Sequence, residues 1–319
     1  MQSEARESPD SVWLQSRLLN AFCGSELYKH PRRRGLILDF ISRFSRSSLA
    51  WSHIVHVDPA EDPEGFKSIE ALWSRLRNED PTDPGLAIGH AALVANEDRA
   101  RAAEILRAAI ALHPEDAALW TELGRVAPEL SEQFDALQKA RALGSKQPNL
   151  LVWIGNTAVK AGRSEDVYRV GCELSARASQ TRATTVDSPI AWTDTGRGAW
   201  TRIRAALEDS PDRPRLISAL SQYANDTHWS HTFLGLVAAE QGQLVEAAKH
   251  LLSSSNIWGE PRVSSYGPSF LLARKLCEAG LWQDVEGFLV ACKDLWDDDI
   301  LDDWIQEVRS QHIPDFDDQ

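Results

Sequence analysis

The stretch Leu119-Trp120-Thr121-Glu122-Leu123-Gly124 sets the pattern on which the fold prediction for this chain depends. Small and apolar residues follow it at wider intervals, at Ala136, Ala140, Leu143 and Pro148. About 34 positions earlier, residues of the same kinds occupy the same slots, at Leu86, Ala102, Leu106, Ala109 and Pro114. A fixed step of this size is typical of proteins in which antiparallel pairs of short helices stack on one another. The sequence therefore predicts a series of helical hairpins.

The pattern resembles the tetratricopeptide repeat, a unit of two helices with a large residue at slot 4 and small residues at slots 8 and 20. Two units match clearly, and three weaker ones follow, with first slots at Asp83, Ala117, Pro148, His228 and Tyr266. The small residues allow the helices to approach closely, and glycine at slot 15 is expected to form the turn between them. Gly89 and His90 fit slots 7 and 8 of the first unit poorly.

This resemblance implies an all-α fold, in which an α-solenoid of antiparallel helix pairs forms a right-handed superhelix. Residues 1–60 contain helix-like stretches without the slot pattern, and we interpret them as a divergent N-terminal helical cap. Residues 61–178 contain the first repeats. We predict that residues 179–227 interrupt the array with a loop and a helix pair, and that residues 228–319 resume the repeats and end in a capping helix.

Composition narrows the class of protein. The 319 residues are 43% hydrophobic and 25% charged, which is typical of a folded, soluble chain. A formal net charge of −13 makes nucleic acid an unlikely partner, because phosphate binding depends on Lys and Arg. No apolar run approaches the roughly 20 residues that span a bilayer, and residues 1–8 do not resemble a signal peptide. Four scattered cysteines suit a reducing compartment, so we expect a cytoplasmic protein without membrane contact.

The resemblance also implies a binding surface, because the first helices of tetratricopeptide units line a concave groove. It places ten residues there: Thr121, Arg125, Glu129, Asn156, Lys160, Trp229, Thr232, Glu240, Phe270 and Arg274. Arg125, Asn156, Lys160 and Arg274 could together bind an acidic segment, since guanidinium and amide groups pair with carboxylate oxygens. Trp229 adds an aromatic contact. The alternative is that these residues form an ordinary solvated helix face.

Two further groups of residues are candidate binding sites, one for an acidic partner and one for a metal ion. The run Arg32, Arg33 and Arg34 predicts an electrostatic patch for an acidic protein or RNA, unless it only promotes solubility. The pairs His53/His56 and His228/His231 have a spacing at which two imidazoles on a helix can hold a metal ion. The sequence supplies no third or fourth ligand, and His231 occupies the interlocking slot 4, so we predict neither a metal nor another cofactor.

No nucleophile elbow, phosphate-binding loop or dinucleotide fingerprint is present in the sequence, and no catalytic residue is predicted. The leading hypothesis is a non-enzymatic scaffold or adaptor that binds a peptide or protein surface along the concave face. One alternative is a regulatory or recruiting subunit of an enzyme on another chain. A less favoured one is an enzyme with a site in the 179–198 loop or at a histidine pair. A helical-repeat RNA-binding protein is opposed by the acidic charge.

Overall fold

The computed structural model describes residues 11–21, 31–184, 205, 207–208, 211–257, 268–293, 295 and 299–316. Within these ranges all regular secondary structure is helical, which confirms the all-α prediction. Contacts between Cα atoms divide the chain into two compact units, Met1–Leu150 and Leu151–Gln319. In the described part of the chain, no helix has both the length and the apolar character needed to cross a membrane.

The first unit contains seven described α-helices and two short 3-10 helices. In chain order these are α1 (Val12–Asn20), α2 (Pro31–Phe44), the 3-10 helices Ser48–Trp51 and His53–Val55, α3 (Pro63–Glu79), α4 (Pro84–Val94), α5 (Arg99–Leu112), α6 (Ala117–Val126) and α7 (Leu130–Ala142). From α2 to α7, each α-helix packs against the next one in the chain. Helices α3 to α6 share one start signal, an aspartate N-cap whose carboxylate accepts backbone N–H groups, at Asp62, Asp83, Asp98 and Asp116.

The core of the first unit explains why Gly89 departs from the repeat pattern. Trp73 on α3 is almost completely buried, and its ring lies directly against the backbone of α4 at Gly89. A Cβ at Gly89 would overlap the Trp73 ring. Ala102 and Leu106, which occupy repeat slots on α5, are fully buried in the same core. The position therefore meets a local packing demand between α3 and α4 that the repeat pattern does not describe.

The second unit contains helices that pack in pairs and then against later neighbours. They are α8 (Leu150–Lys160), α9 (Ser164–Thr184), α10 (Arg213–Glu240), α11 (Leu244–Ser255), α12 (Leu271–Glu278), α13 (Trp282–Cys292) and α14 (Ile300–Arg309). Helix α10 packs against α9, α11 and α12, and α13 packs against α11, α12 and α14. Cys277 and Cys292 are buried free thiols, whereas Cys172 on α9 is exposed.

Three hairpins of the second unit close with the same turn. Gly162, Gly242 and Gly280 follow α8, α10 and α12 with φ of 65°, 73° and 83°. In each case the next backbone N–H donates to the carbonyl five residues before it: Arg163 to Ala158 at 2.9 Å, Gln243 to Ala238 at 2.8 Å and Leu281 to Leu276 at 2.9 Å. This is the Schellman arrangement, in which a left-handed glycine ends a helix. All three glycines occupy slot 15, so that prediction is confirmed.

Helix α10 differs from the segment boundaries predicted from the sequence. It is 28 residues long and runs without a break through position 227, where the interruption was predicted to end. The physical reason is that neither glycine nor proline occurs between Arg215 and Leu234. Helix α9 also extends to Thr184, so residues 179–184 are helical rather than part of a loop. The rest of the predicted 179–198 loop lies outside the described residues.

Candidate functional site

In the first unit, the residues predicted to face the groove have different environments. Arg125 at the end of α6 is exposed, and its Nη1 donates to Glu122 at 2.8 Å. Burial raises the pKa of Glu122, although Arg125 opposes this shift. Thr121 is completely buried, and its hydroxyl donates to the Ala117 carbonyl at 2.7 Å and lies 3.0 Å from the Ser145 hydroxyl. The prediction for Thr121 is therefore wrong, because this side chain is part of the packing between α6 and the turn after α7.

In the second unit, Lys160 is exposed at the end of α8. Asn156 and Trp229 are half-buried, and the Trp229 ring lies 5.4 Å from the Phe233 ring. Arg274 is also partly exposed, with Nη2 3.9 Å from a carboxylate oxygen of Asp315.

Two other groove predictions in this unit are wrong. Thr232 is buried, and its hydroxyl donates to the His228 carbonyl at 2.9 Å. Phe270 is buried and stacks on Phe316 with ring centroids 5.3 Å apart. A slot number predicts the helical register, but the local packing decides whether a side chain reaches the surface.

The predicted electrostatic patch is corrected by the contacts of its arginines. Arg33 is only 2% exposed, and its Nη2 donates to the carbonyls of Ile54 at 3.2 Å and His56 at 2.7 Å. Arg34 forms an ion pair with Asp62, the N-cap of α3. Arg32 is exposed. Arg33 therefore holds the 3-10 segment in place and is too buried to contact a partner. For the exposed Arg32 and the partly exposed Arg34, the patch stays a prediction.

The histidines do not form the pair that their spacing suggests. His228 is buried; its Nδ1 lies 3.0 Å from the Ser254 carbonyl, and its Nε2 lies 2.9 Å from the Ser269 backbone nitrogen. A carbonyl only accepts and a backbone N–H only donates, so Nδ1 carries the proton. Burial lowers the pKa of His228 to about 4. With both ring nitrogens engaged, His228 has no atom left to bind a metal.

His231 instead faces His250 on α11, with 2.9 Å between their Nδ1 atoms. Burial, together with the nearby His250 and His228, lowers the pKa of His231 to about 4. The side chain of His53 lies outside the described part of the chain, so its predicted pairing with His56 is not described. Among the described residues, no cluster of three or more His, Cys, Asp or Glu side chains has an arrangement suited to a metal ion.

A cavity of about 250 Å³ lies in the first unit between the 3-10 helices, α3 and α4. Its apolar lining includes Trp51, Val55, Trp73 and Leu93, together with the small residues Gly89 and Ala92. Ser52, His56 and Asn96 supply the polar lining. The 3-10 segment has no repeat slots, so the repeat pattern does not predict this cavity. The only signal was the coincidence of Gly89 with nearby tryptophans.

The polar lining of this cavity is uncharged at neutral pH. Burial is the main cause that lowers the pKa of His56; Arg33 acts in the same direction and Asp58 opposes it. Asn96 is exposed, and its Nδ2 lies 3.3 Å from His56 Nδ1, which links the end of α4 to the 3-10 segment. No Asp, Glu, Lys or Arg side chain lines the cavity. It can therefore accept an apolar group with a polar edge.

A second cavity of about 570 Å³ in the same unit has a mixed lining of apolar and charged side chains. Among these, Arg46 contributes a guanidinium group that is already neutralised, because Nη2 lies 2.8 Å from Asp80 and Nε lies 2.5 Å from Asp83. Leu76 and Phe44 contribute apolar surface. This cavity therefore offers less specific chemistry than the one beside Trp51.

No protein-family model matches this sequence, and comparison with curated proteins finds no similar sequence. The resemblance to the tetratricopeptide repeat consequently stays a prediction that rests on the slots and on the local geometry of the hairpins.

Proposed function

We propose that this chain is a non-enzymatic helical-repeat protein of the tetratricopeptide type, and that it binds a peptide or surface segment of a partner protein. In this proposal its antiparallel helix pairs form a right-handed α-solenoid. The observation that carries it is the turn shared by three hairpins, with Gly162, Gly242 and Gly280 at the same slot and in the same hydrogen-bonded arrangement. A glycine turn at the same slot of three hairpins is typical of a repeat array.

Close contacts at slot 8 support the same proposal. A Cβ at Gly124 would collide with Leu137 on α7, one at Gly155 with the Phe233 ring on α10, and one at Gly235 with Leu272 on α12. Each helix thus approaches a neighbour through a position that has no side chain. Close approach on one face leaves the opposite face of the hairpin available to a partner, as in other helical-repeat proteins.

The exposed cations on the first helices indicate which partner chemistry fits. Arg125 lies in the last turn of α6, where it pairs with Glu122, and Lys160 ends α8; both are exposed. Each is a cation at the C-terminus of its helix, which is a favourable position for positive charge. We infer that these residues contact carboxylate groups of the partner segment, since charged groups at an interface add specificity and speed up association. Trp229 provides an aromatic surface in the second unit.

The test is affinity capture with the full chain, comparing the wild type with Lys160→Glu and with the control Lys249→Glu. Lys249 lies on α11, the second helix of its hairpin, and its Nζ is 3.1 Å from Glu246. Both substitutions change the net charge by the same amount. We expect a partner whose recovery falls at least about tenfold, or roughly 1.4 kcal/mol of binding free energy, in Lys160→Glu alone. Equal recovery of every captured protein by both variants would contradict the proposed surface.

A further inference from the structure

We infer that the cavity between the 3-10 helices, α3 and α4 binds one uncharged aromatic side chain of the partner segment. This inference rests on the proposed function, which supplies the partner. None of the ten predicted groove residues lines this cavity, so the groove prediction does not imply it.

The size favours a single side chain. Cavities for drug-sized ligands range from roughly 300 to 1,000 Å³, and this cavity, at about 250 Å³, is smaller. It can hold a ring with a short linker but not a nucleotide or a large cofactor. The exposed Asn96 forms part of the lining, so an anchor on a peptide can enter while its backbone stays outside.

The lining favours an aromatic group without charge. Trp51 is partly exposed and offers an indole ring at the cavity wall, and aromatic pairs attract each other beyond the burial of their surface. A charged occupant would find no counter-ion, because the lining contains no ionised side chain, and burying an unpaired charge is costly. The amides and hydroxyls near the opening, at Asn96 and Ser52, could instead bind the polar edge of an indole or phenol ring.

The walls are held in place, so the cavity exists without its occupant. Arg33 binds the carbonyls of Ile54 and His56, which fixes the 3-10 wall. The Trp73 ring packs against the backbone at Gly89 and is almost completely buried, so contacts on α4 hold it in position. A site that is formed in advance avoids the ordering cost that binding would otherwise carry.

The experiment measures binding of N-acetyl-L-tryptophanamide to the full chain by ligand-observed NMR. The variant Ala92→Leu fills the cavity from α4, and the matched control Ala111→Leu adds the same side chain to an exposed position of α5. We expect binding to the wild type and to Ala111→Leu, and binding at least about tenfold weaker in Ala92→Leu. Circular dichroism and thermal melting would establish that both variants are folded. The variant Trp51→Ala, which removes the opposite wall, should also lose binding.

N-acetyl-L-lysinamide serves as the charged probe and should not bind. Equal binding of the tryptophan probe to Ala92→Leu and Ala111→Leu, or binding of the lysine probe to the wild type, would overturn the inference about the cavity. The capture experiment decides the proposed function separately. If no partner depends on Lys160 but the tryptophan probe still requires an open cavity, the proposed groove fails while the aromatic specificity of the cavity holds.

Discussion

At the scale of single residues, Gly124 shows how closely α6 approaches α7. A Cβ built at Gly124 would lie 2.5 Å from Cγ of Leu137 and 3.0 Å from the Gln133 carbonyl oxygen. Neither group can move away easily, because Leu137 is almost completely buried and the carbonyl belongs to the helix backbone. The absence of a side chain at slot 8 is therefore a steric requirement of this hairpin.

We expect Gly124→Ala to lower the free energy of unfolding by about 1–3 kcal/mol, the usual cost of overpacking a core. Gly35→Ala on α2 is the control, since no atom lies within 4 Å of the Cβ it would add. In this open helical position alanine should stabilise by about 0.5–1 kcal/mol. Urea unfolding followed by circular dichroism measures both changes. A Gly124→Ala protein as stable as Gly35→Ala would show that α6 and α7 are not in close contact.

The residues that were predicted correctly and those that were not differ in where their partners lie. Gly124 and Gly162 have partners within their own repeat, so the slot pattern carries the information about them. Arg33 bonds to carbonyls 21 and 23 residues away in a segment without slots, and the sequence showed only an arginine run. Thr121 lies on the helix that its slot predicts, but its hydroxyl donates a hydrogen bond to a carbonyl of the same helix. Periodicity predicts helices and their contact stripes, but it does not predict contacts that occur only once.

At the scale of elements, a buried ion pair connects α9 to α10. Nε of Arg177 donates to Asp226 Oδ2 at 2.6 Å, and Nη2 donates to Oδ1 at 2.5 Å. The Gln222 amide adds a third bond to Asp226, at 2.7 Å. The Asp226 side chain is completely buried, whereas Arg177 is about a third exposed at 32%. The bidentate geometry fixes the relative position of the two helices.

Removing the carboxylate with Asp226→Ala should lower the free energy of unfolding by about 3–5 kcal/mol, because it leaves the Arg177 charge without its buried partner. Glu165→Ala on α9 is the control; Glu165 pairs with Arg169 but its side chain is 88% exposed. Exposed pairs of this kind contribute little, so the unfolding midpoint should stay unchanged. Chemical denaturation followed by circular dichroism would compare the two. Similar midpoints for both variants would mean that the ion pair does not hold α9 against α10.

Helix α10 shows that repeat slots do not predict where a whole helix begins. The repeat pattern predicts that a hairpin begins at His228, whereas the helix begins at Arg213. Asp226 and His228 lie in the middle of this helix, where their buried side chains bond to α9 and to the end of α11. The sequence feature that indicates the longer helix is the absence of glycine and proline from the residues of α10 that precede His228, after its first turn. Repeat slots predict which positions pack against neighbouring helices, and a helix can extend beyond the positions that have slots.

At the scale of the whole molecule, three imidazoles, of which two are buried and one is half-buried, connect stability to pH. His90 belongs to the first unit, and His228 and His231 belong to the second. Burial is the main cause that lowers the pKa of each to about 4 from an ordinary value of 6.5. For His90, the nearby Arg77 adds to the shift, with its Nη1 3.1 Å from Nδ1 of the ring. All three rings are therefore neutral in the folded protein at neutral pH.

The unfolded chain takes up these protons at a higher pH than the folded chain, so acid favours unfolding. Between pH 6.5 and about 4, the free energy of unfolding should fall as the pH falls. For the fully buried His228, the loss at pH 5 is about 2 kcal/mol relative to pH 7.5. The pKa values of His90 and His231 are lowered in the same way, so these groups should change the stability in the same direction over the same pH range.

His228→Asn isolates one of these contributions from the many carboxylates that also titrate in an acidic chain with a net charge of −13. Asparagine keeps a short donor for the Ser254 carbonyl but cannot take up a proton, and it loses the bond from the Ser269 N–H. The variant should be less stable than the wild type at pH 7.5, with a smaller further loss on going to pH 5. Thermal melting at both pH values measures the two slopes. Carboxylate titration affects wild type and variant equally, so identical slopes would mean that His228 is not kept neutral by burial in the folded state.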